Sequence, residues 1–237
     1  IGVAMFGTIT YLPTYIQMVH GLGPTDAGLM MTPMMGGMMG TSIIVGNIVS
    51  RTGRYKWYPV AGTIIMSVGL WLIGSLEASD TLLHLGVVLF VFGFGLGLCM
   101  QLLVLIVQNS FPVSMVGTAT ASNNFFRQIG GTLGSAVVGS LFVSRLADLM
   151  GERIPAAAAG MGPEGAEVAQ SFANGSGAAN SMSPEILAGL PGPLHDAIVG
   201  SYNDALVPIF LVVVPLLLLA TVLLLFIRED ALKETVD

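Results

Sequence analysis

The chain has 237 residues, of which 54% are hydrophobic and only 9% charged, with a formal net charge of −6. A soluble domain carries about a quarter charged residues, whereas here none occurs from Ile1 to Pro24, Ala27 to Ser50, Trp57 to Leu76, Thr81 to Phe126 or Ala205 to Ile227. This excludes a soluble fold, and the eight scattered Lys and Arg residues form no basic patch for a nucleic acid; the sequence is that of a polytopic membrane protein.

A hydrocarbon core of ~30 Å needs about 20 helical residues at ~1.5 Å rise. The uncharged runs predict an all-α integral membrane protein with six transmembrane helices, near 1–19, 27–50, 59–76, 84–107, 118–143 and 203–227. The run from Thr81 to Phe126 is too long for one crossing and breaks at Asn109-Ser110-Phe111-Pro112, where a proline permits a turn. The first span lacks a basic leading region, so it is read as a span and not as a leader. A chain that opens on Ile1-Gly2-Val3 is expected to be a fragment of something longer.

With the first residue inside, Arg51, Arg54, Lys56, Arg127, Arg228 and Lys233 are cytoplasmic, and only Arg145 and Arg153 are outside. This fits the positive-inside rule. Both ends are expected in the cytoplasm of a multi-pass plasma membrane protein, a bacterial inner membrane being the expected setting. Residues 144–202 are expected to be a long flexible extracytoplasmic loop. Its centre, Ala156-Ala157-Ala158-Ala159-Gly160 and Asn174-Gly175-Ser176-Gly177, buries little apolar surface. Short helices are expected from Ser183-Pro184-Glu185 and from Leu194 to Ala205, and 228–237 form a cytoplasmic tail.

Function must reside in polar residues and glycines inside the spans. In the first span Thr8, Tyr11 and Tyr15 share a helix face and are candidate cavity residues, with an interfacial belt the alternative for Tyr15. The second span carries Met30, Met31, Met34, Met35, Met38 and Met39, mostly for packing, and Gly36 with Gly40 as a small-xxx-small pair for close helix approach. The fourth holds Gly93 and Gly97, then Gln101, which either joins helices or touches substrate. In the fifth, Asn123 and Asn124 are cavity candidates, and Gly130, Gly131 and Gly134 are packing candidates. Arg127 is ionisable at membrane depth and is assigned to anchoring or gating ahead of substrate binding. The uncharged runs of the spans contain no carboxylate, Asp204 standing at the outer end of the sixth, and one cysteine, Cys99, supports no thiolate metal cluster. No metal or cofactor is expected, and no hydrolase or ATPase motif occurs.

Several stretches together resemble the C-terminal half of a major facilitator transporter of the fourteen-span drug:proton antiporter group (EmrB/QacA-like). They are Leu12-Pro13-Thr14-Tyr15-Ile16-Gln17 with Gly21; Ala27-Gly28-Leu29 with Pro33; Arg51-Thr52-Gly53-Arg54-Tyr55; Gln108-Asn109 before Pro112; Gly117-Thr118-Ala119; and Arg127-Gln128-Ile129-Gly130-Gly131. The resemblance implies two inverted three-helix repeats, half of a major facilitator fold. It assigns Gly46, Arg51, Gly53 and Arg54 to the family's basic inner-loop motif, here without its acidic member. It further implies proton-coupled export of lipophilic or amphipathic small molecules by alternating access. The partners implied are the N-terminal half of the same transporter, protons, a lipophilic substrate and the bilayer. The alternatives are a non-transporting membrane scaffold or assembly subunit, and an exporter of one endogenous lipid or metabolite. A membrane enzyme is disfavoured.

Overall fold

A computed structural model of the chain describes residues 1–161 and 184–227. The sequon at Asn174 and the tail 228–237 lie outside the described residues. Among those described, all regular secondary structure is helical: α1 (Gly2–His20), α2 (Pro24–Leu29), α3 (Thr32–Thr52), α4 (Trp57–Ile73), α5 (Leu82–Ser110), a 3-10 turn (Val113–Met115), α6 (Val116–Ala159), α7 (Pro184–Ala188) and α8 (Gly192–Leu225). Four stretches are long and apolar enough to cross a membrane: Pro24–Thr52, Leu82–Ser110, Val113–Ala159 and Gly192–Leu225. The protein is therefore a multi-pass membrane protein. Trp57–Ile73 is a shorter apolar helix, and α1 has 19 residues.

Local chemistry sets several helix ends. Prolines occupy the first turns of α2, α3 and α8, where the missing N–H costs nothing. α3 stops at Gly53, whose φ of 70° is a left-handed cap and whose N–H donates to Val49 O at 2.8 Å. Between α5 and α6, Pro112 interrupts the backbone and Gln108 Nε2 donates to Thr120 Oγ1 at 3.0 Å, tying the two helices across the turn.

Helices α3 and α4 lie along α5, and α1, α6 and α8 form a second group joined to the first mainly through α4 and α8. Small residues permit the close approaches. A Cβ on Gly93 would run into the Met34 backbone, and one on Gly97 into that of Met38. A Cβ on Gly131 would strike Phe6, and one on Gly134 would strike Val3; Gly130 is less confined, with Val3 N at 3.8 Å. The predicted pair on α3 meets no other helix among the described residues. A Cβ on Gly36 or Gly40 would meet nothing within 4 Å, whereas one on Gly37 would lie 2.8 Å from Phe90 O. Gly37 shares its face with the buried Met34, Thr41, Val45 and Val49, and that stripe, not the neighbouring one, packs on α5.

The flexible loop expected at 144–202 is corrected at its two ends, the parts of it among the described residues. α6 continues to Ala159 because Phe142, Leu146, Met150, Ile154 and Ala158 recur every four residues and are buried, while Arg145, Asp148 and Glu152 between them are exposed. Alanine has the highest helix propensity, so the Ala-rich stretch prolongs the helix. α8 likewise begins at Gly192, well before 203, and burial of Leu194 and Ile198 extends it. Arg153 Nη2 pairs with Asp204 Oδ2 at 2.6 Å, and Arg145 Nε donates to Asp204 O at 3.0 Å, strapping the two extensions together.

Candidate functional site

The outer surfaces of the helices differ in chemistry. On α4 the exposed positions are Trp57, Ala61, Ile64, Val68 and Trp71, a hydrocarbon stripe at helical spacing with tryptophan at each end, as at two membrane interfaces. Its polar side chains turn inward: Thr63 donates to Pro59 O at 3.1 Å and Ser67 to Thr63 O at 2.8 Å. On α8 the exposed residues from Leu206 to Leu225 are all hydrocarbon or proline, and Thr221 is buried, donating to Thr63 Oγ1 at 2.9 Å. By contrast Thr10 of α1, Gln101 of α5, and Gln128 and Thr132 of α6 are exposed. Hydrocarbon does not solvate amides and hydroxyls, and the exposed surfaces of α4 and of α8 from Leu206 to Leu225 hold none, whereas α1, α5 and α6 expose these polar side chains, on α5 and α6 among apolar ones such as Phe90, Phe126 and Leu133.

The first-span candidates do not open onto that surface as expected. Thr8 and Tyr15 are each 1% exposed and lie in helix contacts. Tyr15 OH donates to Asn203 Oδ1 of α8 at 3.1 Å. The half-buried Tyr11 donates to Ser135 O of α6 at 3.1 Å and stacks, tilted, on Phe142. Buried tyrosines take hydroxyl partners, and these partners join α1 to α6 and α8. Thr8 Oγ1 is buried without a hydrogen-bond partner among the described residues.

The fifth-span candidates are brought together. Arg127 Nη2 donates to Asn124 Oδ1 at 2.8 Å, and Nη1 lies 3.8 Å from Met100 Sδ. Arg127 and Asn123 line a cavity of about 510 Å³ between α1, α5, α6 and α8, whose other walls include Val3, Leu103, Leu223 and Leu224. A second cavity of about 290 Å³, between the end of α5 and the start of α6, shares Asn123 and Phe126 with the first. Among the described residues no carboxylate pairs with Arg127. Met100, Leu103 and Leu223 carry no sequence signal that would have marked them as wall residues.

In the inner-loop motif, Arg51 and Arg54 are exposed, Gly53 caps α3, and Gly46 meets nothing within 4 Å. No carboxylate pairs with either arginine among the described residues, so the motif holds no ion pair there. In the turn between α4 and α5, Asp80 accepts from Glu77 N at 2.8 Å and lies 3.0 Å from His84 Nδ1. The Glu77 amide first, and His84 second, hold its carboxyl below the usual aspartate range. Among the described residues no group of three or more His, Cys, Asp or Glu could hold a metal.

Residues 1–135 match the family model of the Major Facilitator Superfamily. An uncharacterized MFS-type transporter of Mycobacterium tuberculosis is 35% identical over all of this chain, which covers 32% of it. The multidrug transporter protein MdtP of Bacillus subtilis is 35% identical over 64% of this chain and 28% of its own length. A tetracycline resistance determinant of Streptomyces rimosus is 34% identical over 63% of this chain and 44% of its own. The chain thus spans about a third of the length of these relatives.

Proposed function

The chain belongs to the Major Facilitator Superfamily, and from that premise we propose that it forms the C-terminal, six-span half of a proton-coupled efflux transporter for lipophilic or amphipathic molecules. It is a transporter segment and not an enzyme. The observation that carries the reading is the division of its outer surface: α4 and α8 offer hydrocarbon to lipid, and α1, α5 and α6 offer Thr10, Gln101, Gln128 and Thr132 to a wet path against the N-terminal half.

Two helix pairings fit the inverted repeats. If α1, α3 and α4 form one repeat and α5, α6 and α8 the other, the contact α1–α6 maps onto α5–α3, and α4–α8 maps onto itself, while α6–α8 has no comparable counterpart between α3 and α4. Transporters built this way place their substrate path near the repeat interface and rock one bundle against the other. With α1 starting on the cytoplasmic side, Arg51, Arg54 and Lys56 are inside and the α6–α8 extensions outside. Relatives named for multidrug transport and tetracycline resistance favour varied apolar cargo over a single endogenous lipid or metabolite. A scaffold would bury its membrane amides at protein contacts, yet Gln101 is exposed and Asn123 lines cavities.

The test is extrusion of a fluorescent lipophilic dye by cells expressing the full-length protein, with and without a protonophore. Extrusion that the protonophore abolishes and Gln101→Ala slows is expected. Equal extrusion by expressing and vector-only cells across a broad dye panel overturns the proposal.

A further inference from the structure

The cavity around Arg127 joins a guanidinium and an amide to a largely apolar lining. It holds about 510 Å³, and Val3, Met100, Leu103, Leu223 and Leu224 supply apolar wall beside Asn123, Arg127 and the first residue, Ile1. Arg127 follows the start of α6 at Val116 by about 16 Å along the axis at ~1.5 Å per residue, level with the start of α1 and the end of α8, whose residues Gly2 and Leu224 line the same cavity. A guanidinium offers five N–H donors in a rigid fork. Among the described residues one hydrogen bond to Asn124 Oδ1 and a contact to Met100 Sδ are what it finds.

We propose that this cavity is a binding site for an amphipathic anion, its carboxylate or phosphate head on Arg127 and Asn123 and its apolar body along Met100, Leu103 and Leu223. The fork of arginine matches both head groups in bidentate geometry. A cation would be repelled, and a neutral amphiphile would bring the guanidinium no counter-charge. The inference rests on the efflux reading only in making such anions candidate cargo. The same head group occurs on a free acid and on an anionic phospholipid of the inner leaflet, and the experiment separates them.

Purified full-length protein in neutral detergent is titrated by calorimetry with dodecanoate, dodecyl phosphate and, as the cation with the same tail, dodecyltrimethylammonium. Wild type binds the two anions at least about tenfold tighter than the cation. Arg127→Gln brings the three to parity, Arg127→Lys keeps part of the preference, and Arg145→Gln, at the far end of α6, leaves it intact. Competition follows in nanodiscs of phosphatidylcholine with or without phosphatidylglycerol. Weakening of dodecanoate binding by phosphatidylglycerol in wild type supports the site with lipid as its occupant, and no weakening supports it with a free amphiphile. Parity in wild type, or an anion preference that survives Arg127→Gln in monodisperse protein, overturns the site. Anion preference without dye extrusion keeps the site and ends the efflux reading; extrusion without anion preference does the reverse.

Discussion

Gly62 of α4 and Gly95 of α5 face each other so closely that a Cβ on either would sit 2.8 Å from the other's carbonyl oxygen. For Gly95 the nearest obstructing atoms, Met66 N and Gly62 O, are backbone, so the helices themselves would have to separate. Overpacking of this kind costs about 1–3 kcal/mol. Gly95→Ala is expected to lower the thermal midpoint of the full-length protein in detergent by several degrees, whereas Gly36→Ala, with open space around it, leaves it unchanged. Equal midpoints for the two variants would show that the α4–α5 contact is looser than described.

The strap between the outer extensions is a surface interaction. Arg153 and Asp204 have side chains 36% and 46% exposed, so their pairing contributes no more than about 1 kcal/mol. Asp204→Ala is expected to speed amide exchange in residues 146–158 and 194–202 with little change near Gly93. Unchanged exchange in both extensions would show that burial of Met150, Ile154 and Ile198 alone holds them.

Orientation is checked by labelling. Thr52 and Ser79 are exposed at opposite ends of the α3–α4 pair, and the native thiol of Cys99 is buried. With a membrane-impermeant maleimide on intact cells, Ser79→Cys is expected to label at once and Thr52→Cys only after permeabilisation. The opposite pattern inverts the topology.

Acid loosens the turn between α4 and α5. Asp80 has its pKa depressed by the Glu77 amide and His84, so its carboxylate stabilises the folded turn above the ordinary aspartate pKa of about 4. That stabilisation is lost as pH falls through the depressed value. Amide exchange at Glu77, corrected for intrinsic rates, is expected to rise in this acid window and, in Asp80→Asn, to be raised already at neutral pH. A flat profile in the wild type would remove Asp80 from the turn's stabilisation.

Much of the membrane character was legible because long uncharged runs admit no other solvent. Which helix face does what was less so. On α3, methionine and glycine alternate without polar contrast, so nothing local distinguishes Gly37 from Gly36 or Gly40. The hydroxyls of Tyr11 and Tyr15 are satisfied by Ser135 and Asn203, far away in sequence, and no spacing rule marks such partners. The continuation of α6 was present as the four-residue recurrence from Phe142 to Ala158, but Arg145, Asp148, Glu152 and Arg153 obscured it by reading as a loop. Asn123 and Arg127 were recognisable as amide and charge at membrane depth. The apolar walls around them were not, since leucines at cavities and leucines against lipid look alike in sequence.

Cysteine accessibility in the full-length transporter tests most directly whether α1, α5 and α6 face water and α4 and α8 face lipid. Single cysteines replace Gln101, Gln128 and Thr132 on one side and Ile64, Val68 and Val212 on the other, in a Cys99→Ala background. A water-soluble methanethiosulfonate is expected to modify the first three, with protection by added dye, and to spare the second three. Modification of Ile64 and Val68 with Gln101, Gln128 and Thr132 left unreacted would contradict the arrangement.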